Sequence, residues 1–105
     1  MPFPDALERD IHFAKHGHEF GAVDAMHYER MADTFMFGPM AIEVNECIRP
    51  LGGDRLRFGF ITYRFGAVCA APEFIRTFHI VGLRAILSHR DPAGYFAWQC
   101  GRIFT

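Results

Sequence analysis

AIEVNECIRPLGGDRLRFGF, residues 41–60, is where the hydrophobic period of the chain changes from helical to extended. Ile42, Val44 and Ile48 alternate with Glu43, Asn45 and Arg49. Leu56, Phe58 and Phe60 alternate with Arg55, Arg57 and Gly59. A period of two places successive side chains on opposite faces of a strand. Between the two runs, Pro50-Leu51-Gly52-Gly53-Asp54 carries the signals of a turn. The stretch therefore predicts a hairpin.

Downstream the same period continues. YRFGAVCA (63–70) and FIRTFHIV (74–81) read as two further strands, with AAPE between them and Pro72 assigned to the turn. Four short strands joined by brief turns predict an antiparallel meander over 42–81. PAGYFAWQCGRIF, from Pro92, reads as a closing helix or strand.

Upstream of residue 41 the period is that of a helix. PDALERDIHFAKHG, from Pro4, has Asp5 and Glu8 at capping-box spacing. Leu7, Ile11 and Ala14 follow the i, i+4, i+7 pattern of a buried stripe, and Gly17 is a natural stop. His12 and His16 share a side of this helix, offset from that stripe. A second helix is expected from Asp24, as N-cap, to Phe37. Its stripe is Tyr28, Met31, Ala32 and Phe35, and Gly38-Pro39 ends it. Helices over 4–37 followed by strands predict one α+β domain over residues 1–105, with the two helices on one face of a four-stranded antiparallel sheet and a closing segment at 92–105.

Composition narrows the classes. Half of the 105 residues are apolar and twelve are phenylalanine, enough for a packed core. No apolar run approaches the roughly 20 residues of a membrane span, so no membrane partner is expected. MPFPD has no basic patch leading into an apolar core, so a secretory leader is not expected, and the cytoplasm is the expected place of action, reached directly or by delivery. Cys47, Cys69 and Cys100 are few, odd in number and far apart, so free, partly buried thiols are expected. Charge is uneven. Residues 1–50 hold nine acids and four bases; residues 51–105 hold three acids and seven arginines. An arginine-rich half can form a phosphate-binding face or a solvated sheet surface.

HFAKHGHEFG, residues 12–21, concentrates three of six histidines and the only lysine. His12 and His16 at i, i+4 could pinch a zinc ion. Against that, the stretch lacks the glutamate of H-E-x-x-H, no cysteine is near, and Lys15 repels a cation. No metal or cofactor is expected. The other readings are an acid–base site and a polar helix end. Histidine titrates near neutral pH, and two histidines, a lysine and nearby arginines are suitable parts for cleaving RNA without a metal. On the fourth strand, Thr77 and His79 should point to one side and Arg76 to the other unless a bulge intervenes. Arg57 and Arg64 are the other phosphate-binding candidates. Tyr95, Phe96 and Trp98 are assigned to the core, with base stacking as the alternative.

HFAKHGHEFG followed by YERMADTFM resembles the opening of the Barnase–EndoU–ColicinE5/D–RelE-like (BECR) nucleases, small ribonuclease domains of toxins and phage. RLRFGFITYRFGAVCAAPEFIRTFH resembles their next block, and YFAWQCGR their closing segment. The resemblance implies metal-independent RNA cleavage to a 2′,3′-cyclic phosphate, tRNA as a frequent substrate, and a dedicated immunity protein as partner. It implies His12, His16 and Thr77 in the site, with Lys15 and one or more of Arg57, Arg64 and Arg76 on phosphate. Two departures are visible. Relatives often read Arg-Phe-Asp where this chain has Arg57-Phe58-Gly59, and an aromatic pair with Arg-Pro where it has Phe78-His79-Ile80-Val81. His79, when protonated, is then the substitute for the missing base. A catalytically weakened module that binds RNA or protein is the alternative function.

Overall fold

The computed structural model of the chain describes residues 3–101. Helix α1 (Ala6–His16), a 3₁₀ turn (Gly17–Phe20) and helix α2 (Ala25–Phe37) lead into strands β1 (Val44–Ile48), β2 (Arg55–Gly59), β3 (Arg64–Val68) and β4 (Ile75–Ile80). Helices α3 (Leu83–Ser88) and α4 (Pro92–Cys100) follow. The strands form one antiparallel sheet in the order β1-β2-β3-β4. The fold is α+β, as the change of period predicts.

The two N-terminal helices begin where their caps require. Asp5 accepts the Glu8 backbone N–H and Asp24 accepts that of His27, each satisfying an orphan donor of the first turn. On α2, Tyr28, Ala32 and Met36 are buried, with Met31 and Phe35 packed beside them. Together with Phe3, Val68, Ile75 and Phe78 they make the core on one face of the sheet. Burying side chains of this size contributes about 1.5–3 kcal/mol each.

The opposite face is also covered. Leu56, Phe58, Phe65 and Ala67 meet Val81, Ile86 and Tyr95 in a second core under α3 and α4. The two N-terminal helices lie on one face as expected, and residues 83–100 add a second helical layer on the other. Tyr95 and Phe96 are core, as assigned, whereas Trp98 is 43% exposed and stacks on His89 at 4.2 Å. The remainder of the expected closing segment, 102–105, lies outside the described residues.

Other expectations need correcting. The Leu7–Ile11–Ala14 stripe faces outward, with Leu7 68% and Ile11 40% exposed. The inner side of α1 is Phe13, which packs on Tyr28, together with His12 and His16. Rings make larger contacts than Leu7 and Ala14 can, and they set the rotation of the helix. Gly17 is helical rather than left-handed; the ring of Phe13 occupies the space where a Cβ would stand. Ile42 lies fully exposed in the turn before β1, and the apolar partner that β1 supplies to the second core is Cys47.

Cys47 is not a free thiol. It is bonded to Cys100, joining β1 to the end of α4 across 53 residues of sequence, and Cys69 alone is free and buried. Spacing cannot reveal this pairing, because it depends on α4 crossing behind the first strand. The same junction carries a polar anchor. Buried Arg49 donates to the Gln99 backbone carbonyl (2.9 Å) and side chain (2.6 Å) and lies 3.5 Å from Asp54.

Replacing Cys47 and Cys100 with serine should lower the unfolding free energy by about 4 kcal/mol, the magnitude for a cross-link closing a loop of this length. Urea unfolding of the double variant measures it. Thiol titration of the unfolded wild type should find one reactive group, Cys69. An unshifted midpoint would show that the β1–α4 junction does not depend on the bond.

Candidate acid–base site at the edge of the sheet

β4 is an outer strand, and an outer strand carries backbone groups that no neighbouring strand satisfies. Here side chains from the N-terminal helical unit meet them. The Glu19 carboxylate accepts the Ile80 N–H at 2.7 Å, and the Tyr28 hydroxyl donates to the Phe78 carbonyl. The other oxygen of Glu19 lies 2.7 Å from His16 Nδ1. An ionised carboxylate only accepts, so Nδ1 carries the hydrogen and Nε2 is left as the free nitrogen of His16. Burial opposes the charge on Glu19. The hydrogen bonds from His16 and from the Ile80 N–H outweigh it and hold the carboxyl below its ordinary pKa.

This contact brings His16 onto β4. Its ring stacks on His79 with centroids 5.1 Å apart. His79 Nδ1 is 3.2 Å from the Thr77 hydroxyl, on the same side of the strand, as alternation predicts. Burial, with His16 adding to it, pushes the His79 pKa down to about 4, so its imidazole is neutral at pH 7. His12 continues the column: Phe3 stacks on it at 5.0 Å and His16 lies 6.4 Å away. Burial lowers its pKa too, against the opposing charge of Glu8 3.8 Å from its Nε2. Its Nδ1 is buried and has no hydrogen-bond partner among the described residues.

Five sequence-predicted residues thus gather at or beside one seam: His12, Lys15, His16, Thr77 and His79. Lys15 is exposed on α1, close enough for its charge to act on His12. The arginines divide. Arg57 is 2.8 Å from Glu46 and donates to the Phe35 and Gly38 carbonyls; Arg55 donates to the Met36 carbonyl and to the same Glu46. Both guanidinium groups therefore hold the C-terminal end of α2. Arg76 pairs with Asp54 at 3.0 Å, away from the histidines. It sits in a β-bulge, since Val68 pairs with Ile75 and Ala67 with Thr77, which leaves Arg76 as the extra residue. Arg64 lies across from Ile80 with its guanidinium over the Phe20 ring, 5.4 Å from the centroid, next to Glu19 in the chain.

Sequence reasoning passed over Glu19 as the partner of His16. The signal was present as His-x-x-Glu, but the glycine after His16 suggested that the helix stops there. The chain instead continues as a 3₁₀ turn, which brings the two side chains together. Among the described residues no three His, Cys, Asp or Glu side chains converge on a point that would hold a metal ion. The arrangement suits proton transfer: one histidine oriented by a carboxylate and one kept neutral, in contact. No protein-family model matches the chain, and no curated protein matches it.

Stability should fall steadily with acid. Below its unfolded pKa of about 6.5 the unfolded chain protonates His79 while the folded one resists until about pH 4, so protons bind the unfolded state first. The loss across that window should be about 2–3 kcal/mol. Glu19 adds to it below about pH 4.5, because its carboxylate is stabilised only in the folded state. His79→Phe should flatten the upper part of the curve and Glu19→Gln the lower part, measured by urea unfolding at stepped pH. A wild-type curve flat from pH 6.5 to 4 would contradict the burial of a neutral His79.

Proposed function

We propose that the chain is a metal-independent endoribonuclease of toxin type, acting through the seam of His16, Glu19, His79 and Thr77. The observation that carries this reading is the Glu19 carboxylate, which orients His16 through Nδ1 and leaves Nε2 free beside a second, neutral histidine. The resemblance to the BECR nucleases points to His16 and Thr77, with His12 beside them; His79 stands where the chain departs from that pattern.

On this reading His16 Nε2 takes the proton of a ribose 2′-OH as that oxygen attacks phosphorus. Glu19 stabilises the imidazolium that forms. The bond from phosphorus to the 5′-oxygen breaks, giving a 2′,3′-cyclic phosphate and a 5′-hydroxyl. A phosphate anion drawn against His79 favours its charged form, which equips it to protonate the leaving oxygen. Thr77 holds His79 Nδ1, and Lys15 and Arg64 supply positive charge for the phosphate. The partners are RNA, with tRNA the first to test, and a protein inhibitor that protects the producing cell. The cytoplasm is the place of action. The Cys47–Cys100 bond supports delivery through an oxidising compartment rather than continuous residence in a reducing one.

One observation favours a binding module that does not cleave. Arg49, Arg55, Arg57 and Arg76 are each engaged with carboxylates inside the protein, which thins the phosphate clamp. Incubation with total RNA in EDTA separates the two. Cleavage leaving cyclic phosphate ends is expected, with His16→Ala slower by about 10²-fold or more and Glu19→Gln by a smaller factor. Intact RNA with a folded wild type would overturn the nuclease reading, and cleavage untouched by His16→Ala would overturn the site.

A further inference from the structure

A second feature lies along one side of α2, at the margin of the core. His27, Arg30, Met31 and Thr34, at helical spacing, form one wall of a groove of about 550 Å³. The opposite wall comes from the α2–β1 connection with Met40 and Ala41, from Glu43, and from Arg64 on β3. Phe35 and Met31 give the groove an apolar lining.

Its charge is the informative part. Arg9, Arg49, Arg55, Arg57 and Arg76 each hold a carboxylate. Arg30 and Arg64, on the two walls, hold none among the described residues; Arg64 rests only on the Phe20 ring. His27 Nδ1 accepts the Val23 N–H, so its hydrogen is on Nε2 and that nitrogen can only donate. Glu43 is the single acid of the lining. Two unpaired guanidinium groups over a thioether and aromatic surface suit a ligand with one anionic group and one flat ring. Arg64 also ties the groove to the histidine seam: it faces Ile80 across the sheet, and the Ile80 N–H is held by the Glu19 that holds His16.

We infer that this groove is a nucleotide subsite for single-stranded RNA, with phosphate held by Arg64 and Arg30 and the base lying against Phe35, Met31 and Met40. The inference rests on the nuclease reading for the identity of the ligand, and its test is made by binding rather than cleavage. The intact protein is titrated with each 3′-nucleoside monophosphate and with inorganic phosphate, followed by amide chemical shifts. Saturable nucleotide binding is expected, at least about tenfold tighter than phosphate alone, because the ring contributes. Arg64→Gln and Arg30→Gln should each weaken it by about five- to tenfold. Ala41→Trp, which fills the groove from an exposed loop, should weaken it at least about tenfold, and Glu43→Gln should strengthen it by about two- to threefold by removing a like charge. RNA cleavage with no saturable nucleotide binding up to about 10 mM would overturn the groove and leave the nuclease reading standing. Nucleotide binding that ignores Ala41→Trp would overturn the groove as well. Binding that responds to all four variants without RNA cleavage would support the groove and count against the cleavage reading.

Discussion

The contact on which the remainder of the structure turns is the Glu19 carboxylate between the Ile80 N–H and His16. An open strand edge exposes donors and acceptors that pair with other chains unless something covers them. In this protein the cover is a charged side chain and a phenol from the N-terminal helical unit, and each does a second task. Tyr28 is also the ring against which Phe3, Phe13, Phe20 and Phe78 pack. Glu19 also sets the direction of His16. Removing either would open the edge and loosen the helices together: the charge-assisted Glu19 bond is worth about 1.5–3 kcal/mol and the neutral Tyr28 bond about 0.5–1.5 kcal/mol. The fold and the candidate site therefore share an anchor, and a variant there must be read for stability before it is read for chemistry.

The same economy governs the arginines. A chain with seven arginines after residue 50 suggests a basic face. The folded chain instead turns several of them inward onto polar groups that need a partner. Arg55 and Arg57 take the carbonyls at the end of α2, which no further helical turn would satisfy, and share Glu46. Arg49, just before them in the chain, is buried against Asp54, which the exposed Arg76 also pairs with. A buried ion pair of this kind is retained only with its hydrogen bonds filled, and Gln99, itself bonded to Tyr95, fills them for Arg49. Among the described residues the cations that hold no carboxylate are Lys15, Arg30, Arg64, Arg84 and Arg90, and of these Arg30 and Arg64 share one groove.

Much of the architecture was legible because it rests on local rules. Asp24 and Gly38-Pro39 bound α2, Asp5 starts α1, and the shift to a period of two at residue 42 announces the sheet, all from residues next to one another. What was not legible depends on contacts distant in sequence. The rotation of α1 is decided by Phe3, Tyr28 and His79 rather than by its own apolar stripe, because two stripes compete on that helix and only the partner surfaces choose between them. The bulge that turns Arg76 toward Asp54, and the bond from Cys47 to Cys100, follow from how strands and α4 meet. Of the site, the histidines and Thr77 were legible as residue types at suggestive spacings. Their orienting carboxylate was not, since it required the chain to continue turning past Gly17.

The histidine seam is unusual as plain packing. A core built for stability alone would favour apolar rings at these positions, since a buried polar nitrogen without a partner costs free energy, as His12 Nδ1 does. Burial of His79 carries a further cost below neutral pH, and Phe in its place would carry none. Leu7 and Ile11, which would fill a conventional interface, are left on the outside of the same helix. A helix that turns its histidines inward and its aliphatic side chains outward has given up burial free energy at that seam. A histidine held neutral by burial, in ring contact with a second histidine that a carboxylate orients, is what proton transfer requires and what packing does not. That imbalance favours the acid–base reading of HFAKHGHEFG over a polar helix end, and it rests on the inward face of α1, which its outward aliphatic stripe had concealed.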